Sequence, residues 1–311
     1  GLSTRGVSSP IEPRWFRLLC LSLVVMRCQP LRRALGKQEK FVLVFEEEYR
    51  LLSQEGHLTK SSLLAGLDAI RRANIDDYGR GFFYSGLFEL SIGFERLMKI
   101  VVILQHKLEN GNVNPTDKML RSYDHNINKL YQASCLVAEK HNVEMRCNDI
   151  QREILEVLSA FGRGSRYYNL NQLAETSHHE DPLKMWSKVI NRHIWCLRSS
   201  TRQRLERNAF SYVDKNGLAA AWYSGRNING DLMMISEYHY LYHATEKANF
   251  HIVWSLISIM APFYSLLVKL SHDLYELAAS LKTKQTVPYM YEFFPFFLAP
   301  KSLVLKRKSW R

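Results

Sequence analysis

An all-α fold is predicted for this chain of 311 residues by three observations. Apolar residues recur at helical steps of three and four from about residue 40 onward. No run keeps the period of two that a half-buried strand requires, and the interruptions carry helix-cap and turn residues. The composition, 46% hydrophobic and 23% charged, supplies enough apolar material for a packed core.

The elements can be justified in order. A first helix is expected through KFVLVFEEEYRLLSQ, ending before Gly56, because glycine weakens a helix interior. A second, SSLLAGLDAIRRA, follows Thr59, whose hydroxyl can cap it. The third, FYSGLFELSIGFERLMKIVVILQ over 83–105, is the most informative stretch. Leu87, Leu90, Phe94, Leu97, Val101 and Leu104 fall on one stripe that a bundle would bury. Gly86 and Gly93, two turns apart, leave room for another helix to approach closely. Glu89, Glu95, Arg96 and Lys99 run through the same apolar helix, and charges placed in a packed interior need partners. Glu95 and Lys99 can pair at i,i+4, and Arg166 is a candidate partner for Glu89 or Glu95.

After the polar turn Glu109–Asn114, Asn114-Pro115 reads as N-cap and first residue of a helix to about His141. A helix near Asp149–Phe161 aligns Ile150, Ile154, Val157, Leu158 and Phe161 and stops at Gly162 as its C′ residue. A loop should cover Gly162–Glu180. Asp181-Pro182 then repeats the cap-plus-proline start for a helix to about Asn208. The stretch Asn216–Asp231 separates it from two long helices, Leu232–Asn249 and His251–Lys282. The segment TVPYMYEFFPFFLAP has too much proline for a regular helix and too many aromatics for water, so it should lie across the bundle as an extended strap. Ile252–Val268 has no charge over 17 residues, the lower limit for a bilayer span, but Pro262 and its serines favour a central bundle or interface helix over a membrane helix.

The net charge of +12 is concentrated at the two ends: +6 in residues 1–40, +5 in residues 301–311, and +1 in everything between. The organisation expected is a basic N-terminal extension over 1–38, a helical bundle over 39–175, a C-terminal helical region over 176–300 packed on it, and a solvated basic tail over 301–311. Within the extension, Leu18–Met26 resembles a short signal-peptide core but lacks a small-x-small cleavage site. The five cysteines, Cys20, Cys28, Cys135, Cys147 and Cys196, are odd in number and contain no C-x-x-C pair, which argues against a zinc framework or disulfide scaffold and for a reducing cytoplasm.

Several clusters carry chemistry. Arg163, Arg166, Tyr167 and Tyr168 combine guanidinium groups and aromatic rings beside glycines, a composition suited to gripping RNA phosphate and stacking a base. His239, His243 and Glu246 share one side of a helix at spacings that can hold a divalent metal, while Tyr240 stands where a zinc protease needs Glu; a packed aromatic face is the alternative. His178 and His179 are adjacent in a loop and read as solvated. Arg50 and His57 straddle the supposed helix end at Gly56. No P-loop, dinucleotide turn or nucleophile elbow occurs, and no cofactor is implied.

The order of three pieces, FELSIGFERLMKIVVIL, then DHNINKLY at Asp124–Tyr131, then SRYYNLN at Ser165–Asn171, resembles the HEPN superfamily of prokaryotic helical-bundle proteins. The resemblance covers about a third of the chain. It implies a bundle of four or five helices, usually a homodimer, in toxin–antitoxin, abortive-infection or phage-defence systems, with a possible antitoxin or other defence component as protein partner. It also implies metal-independent ribonuclease activity in many members, carried by an Arg-x(4–6)-His motif on a late helix. His can act as general acid or base and Arg can stabilise the charged phosphorane. Here Arg163 and Arg166 have no histidine at that distance. Arg121 and His125, an Arg-x3-His pair at the polar helix start, together with Arg166 are the catalytic candidates; a helix-capping or bundle-stabilising role is the other reading of His125. The expectation is a ribonuclease with a displaced site or a non-cleaving RNA-associated member. An interaction protein docking a partner through helices 232–282 and the strap is the alternative from another class, with a metal-dependent bundle enzyme third.

Overall fold

The computed structural model describes residues 47–175, 180–227 and 230–310. The extension 1–38, the first residues of the first predicted helix, Cys20, Cys28, and His178 and His179 lie outside them. The first two predicted helices are one, α1 (Glu47–Arg72). Gly56 does not end it: the position is buried beneath the Phe293 ring, where an added Cβ would come within 2.6 Å of the ring. Thr59 is therefore no cap, and its buried hydroxyl lies inside the helix without a partner.

After a turn of four residues, α2 (Asp77–Glu109) returns antiparallel along α1. The expected stripe is buried, Leu87, Leu90, Phe94, Leu97, Val101 and Leu104 all being inaccessible to solvent. Glycines make the close approach. A Cβ at Gly86 would meet Ile70, one at Gly93 would meet Leu63, and one at Gly66 of α1 would meet Leu90, each within 2.7 Å. The two backbones can touch only because these positions have no side chain.

The helix predicted from Pro115 to His141 is broken. Thr116, not Asn114, caps a short α3 (Asp117–Arg121), and Asn126 caps α4 (Ile127–Lys140) by accepting from the Lys129 amide at 3.0 Å. Between them Asp124 and His125 adopt left-handed backbone, φ 45° and 54°. α5 (Asp149–Arg163) starts with a reciprocal Asn148/Gln151 capping box and runs past Gly162 to end at Gly164, whose φ is 148°. The predicted loop beyond contains a 3₁₀ turn at Ser165–Tyr167 and α6 (Tyr168–Leu173). Asp181 caps α7 (Pro182–Trp195) as expected, but that helix stops where Leu197 turns inward, and α8 (Ser199–Lys215) follows as a separate element.

Two short strands, β1 (Trp222–Arg226) and β2 (Leu232–Met234), form an antiparallel hairpin where no strand was expected. They are held by tertiary contact rather than by a long alternating pattern: Tyr223 stacks on Tyr238 with ring centroids 3.9 Å apart. The two predicted C-terminal helices are one helix of 46 residues, α9 (Ile235–Ser280), which contains Pro262. At the supposed boundary, buried Asn249 donates its Nδ2 to the Ala73 carbonyl at 2.7 Å, tying α9 to the end of α1 as the helix continues, while its Oδ1 is buried without a partner among the described residues. Among the described residues α9 alone is long and apolar enough to cross a bilayer. It packs against α1, α2, α5, α7 and α8 as the central helix of the bundle.

The aromatic strap crosses α9 as predicted but in 3₁₀ turns, Met290–Phe293 and Pro295–Leu298, with Met290, Phe294 and Phe297 buried. The basic segment after it is not a solvated tail. A turn of helix, α10 (Lys301–Val304), leads to Trp310, which is fully buried and donates its backbone N–H to Asp68 of α1 at 3.1 Å. One contiguous apolar core thus includes side chains from α1 to Trp310.

Candidate functional site

Glu95 and Lys99 lie one turn apart on α2, and their side chains meet at 2.6 Å as the spacing predicts. The other side of the Glu95 carboxylate is taken by His125, whose Nδ1 is 2.9 and 3.0 Å from its two oxygens. A carboxylate with a lowered pKa can only accept, so Nδ1 carries the hydrogen that meets it. Burial pushes the Glu95 carboxyl upward, but the hydrogen bonds and positive charge supplied by Lys99 and His125 outweigh it and hold its pKa below the ordinary carboxylate range.

His125 reaches this position because the chain turns sharply in front of α4. Two successive left-handed residues are costly, and Asp and His are among the types that tolerate them. The surrounding structure fixes the turn. Ser159 of α5 donates to the Asn126 side chain at 3.1 Å, and Lys129 Nζ donates to the Ser122 carbonyl at 2.7 Å. Gly162 lets α5 pass close to the His125 carbonyl, which a Cβ there would meet at 3.2 Å. The imidazole is held by backbone and carboxylate while 58% of the side chain stays exposed.

The dyad lines a groove of about 400 Å³ together with Lys99, Arg96, Glu55 and Arg166. Arg96 and Glu55 pair across α2 and α1 at 2.5 Å. Arg166 makes no ion pair among the described residues, contrary to the expectation that it would neutralise Glu89 or Glu95. Lys99 and His125 already engage Glu95, and the 3₁₀ turn carries Arg166 over the Tyr167 ring, 5.0 Å from its centroid, with a buried and unpartnered Nε. Its side chain borders this groove and an adjoining one of about 370 Å³ formed with Tyr84, Phe88, Glu89 and Tyr167. The arrangement offers an oriented acid–base imidazole beside a cation that no carboxylate among the described residues claims.

Other predicted residues fall elsewhere. Arg121 is exposed and pairs with Asp117 at 2.8 Å, so it does not line the groove. Arg163 bonds the Ser159 carbonyl at 3.3 Å; of the two tyrosines, Tyr167 joins the Arg166 groove and Tyr168 does not line it. Arg50 pairs with Glu47, and His57 lies edge-on to Phe293, so that spacing was accidental. His239 stacks on Tyr212 at 4.5 Å and meets His243 edge-on at 4.8 Å, while His243 Nδ1 is 3.6 Å from Glu246. This is a packed aromatic face, and among the described residues no group of three His, Cys, Asp or Glu converges to hold a metal.

Sequence reasoning missed Glu55, which only the antiparallel register of α1 and α2 brings to the groove. It also missed Lys107, fully buried on α2 and satisfied by Glu48 at 3.0 Å, the Asn112 carbonyl at 3.1 Å and Asn114 at 3.2 Å. A separate cleft of about 710 Å³ holds Tyr131, Cys135 and Cys147, with Cys147 Sγ 3.0 Å from the Tyr131 hydroxyl. Burial pushes both thiols and the phenol upward, so none of the three is ionised near neutrality.

Fold and groove together define an all-α bundle protein carrying a carboxylate–histidine dyad at a left-handed turn. Comparison with protein-family models, with curated proteins and with solved structures finds no match to this chain.

Proposed function

We propose that the protein is a HEPN-like, metal-independent ribonuclease with a displaced site, acting as a homodimer in a defence-type setting. The observation that carries the reading is the Glu95–His125 dyad opening beside Arg166, which makes no ion pair among the described residues. In the proposed step His125 Nε2 accepts the proton of a ribose 2′-hydroxyl. The 2′-oxygen then bonds to the adjacent phosphorus, the bond to the 5′-oxygen breaks, and that oxygen takes a proton from water. The products are a 2′,3′-cyclic phosphate and a 5′-hydroxyl. Arg166 sits where it can stabilise the added negative charge, Tyr167 offers a ring for a base, and Glu95 keeps the imidazole oriented and stabilises it once protonated.

The HEPN likeness rests on the order of α2, the polar turn, the α4 start and the segment after α5. His125 from the α4 entry and Arg166 from beyond α5 take the place of the Arg-x(4–6)-His motif in this reading.

The test is cleavage of a fluorogenic single-stranded RNA by the purified chain in excess EDTA. Activity should persist in EDTA, drop about 100-fold or more in His125→Gln, drop comparably in Arg166→Ala, and stay within about twofold in Arg121→Ala. An RNA-binding protein that cleaves nothing, or a His125→Gln variant as active as wild type, overturns the ribonuclease reading. Light scattering should give twice the 36.3 kDa chain mass.

A further inference from the structure

A second cleft, of about 670 Å³, shares no lining residue with the dyad groove. It lies where the start of α8, the first half of α9 and the start of α10 meet, and its charged lining residues are Arg198, Arg204, Lys247 and Lys301, with His251 beside them. No carboxylate lines it, and none of the four cations makes an ion pair or side-chain hydrogen bond among the described residues. What sets these four apart is that they gather around one concavity that no carboxylate lines. Four exposed cations around one concavity with no carboxylate among them raise the local positive potential and favour an anion there.

Two further features point the same way. The first residue of α8 follows Arg198, which provides no side-chain cap, so the N-terminal amides of this 17-residue helix add their partial positive charge on the same side. Phe250 is the one aromatic ring besides His251 that lines the cleft among the described residues, and Trp254 lies outside the lining. Arg71 covers Phe250 with its guanidinium carbon 3.2 Å from the ring centroid, and Lys301 lies 5.9 Å from the Trp254 centroid. The cavity suits a single small ligand rather than an extended strand.

We propose that this cleft binds a small, soluble ligand carrying two or more phosphate groups, with Arg198, Arg204, Lys247 and Lys301 as its phosphate contacts. Arg198 and Arg204 can each grip two oxygens at once, and the two lysines act as point charges. The inference does not depend on the ribonuclease reading, because neither Glu95, His125 nor Arg166 takes part.

The test is calorimetric titration of the full chain with inorganic triphosphate at near-physiological ionic strength. One saturable site should appear, sulfate at matched ionic strength should not displace the triphosphate, and Lys247→Ala/Lys301→Ala should weaken binding about tenfold or more. Arg204→Gln, at an exposed position on another element, should weaken it as well; the thermal transition of each variant shows that it still folds. His125→Gln should bind triphosphate as wild type does, which separates this site from the dyad. No saturable binding, equal competition by sulfate, or unchanged affinity in the folded variants overturns the proposal. So does binding of single-stranded RNA or of phosphoinositide vesicles at these residues without binding of triphosphate.

Discussion

Replacing Trp310 by alanine tests whether the basic C-terminal segment is part of the folded core. The indole is fully buried, its backbone N–H is bound by Asp68, Asp68 is itself paired with Arg72 at 2.9 Å, and Arg307 lies 4.5 Å from the ring centroid. A tryptophan side chain removes roughly 150–250 Å² from water, which at about 25 cal/mol per Å² is worth about 4–6 kcal/mol. Large-to-small changes of this kind cost about 3–5 kcal/mol when the site cannot collapse. Each kcal/mol lowers the melting temperature of a domain of this size by about 2–4 °C, so Trp310→Ala should lower it by about 10 °C in a calorimetric scan. Trp310→Phe should cost much less, because the indole Nε1 has no hydrogen-bond partner to lose. A Trp310→Ala shift below about 2 °C, equal to that of the exposed Lys308→Ala, would refute the reasoning.

Three other outcomes follow from particular groups. Lys107→Met keeps the buried aliphatic stem but strands the Asn112 carbonyl and the Asn114 side-chain oxygen, each worth about 1–3 kcal/mol; a urea midpoint unchanged from wild type would contradict that bonding. Glu95 has a folded pKa below its unfolded value of about 4.3, so its contribution to stability is complete above that value and is lost as pH falls through the folded pKa. The melting temperature of Glu95→Gln should therefore change less than that of wild type between about pH 5 and pH 3, and parallel curves would count against the dyad. Exposed Cys196 should react with maleimide at neutral pH well before Cys135 and Cys147, whose thiols burial holds protonated; equal rates by site-resolved mass spectrometry would contradict the cleft geometry.

The helical class, the α2 stripe and the Asp181-Pro182 start were legible because each is a local signal: periodicity, or a cap beside its helix. What misled were residues whose meaning depends on distant partners. Gly56 reads as a helix end until Phe293 is placed over it, and Asn249 reads as a break until it bonds the Ala73 carbonyl. The hairpin is too short to show alternation and depends on Tyr238. At the groove, the Glu95–Lys99 pair was visible at i,i+4, and His125 and Arg166 were singled out by residue type. That His125 rather than Arg166 meets Glu95 follows from the left-handed turn at 124–125, which the sequence spells only as Asp-His-Asn.

The position of the groove has a simple cause in α2. Leu87, Leu90, Phe94, Leu97, Val101 and Leu104 bind one side of the helix to the core, so the side carrying Ile92, Arg96, Lys99 and Ile103 must emerge from it. Glu95 stands at the margin between these sides, with a side chain 16% exposed. A carboxylate there is buried enough to demand partners and open enough for one of them to face water. Lys99 satisfies it from within the helix, and the strained turn before α4 supplies His125 from outside. With Lys99 and His125 already on Glu95, Arg166 lies at the rim and makes no ion pair among the described residues. The same carboxylate thus leaves an oriented imidazole on its open side, beside an Arg166 whose Nε is unpartnered among the described residues.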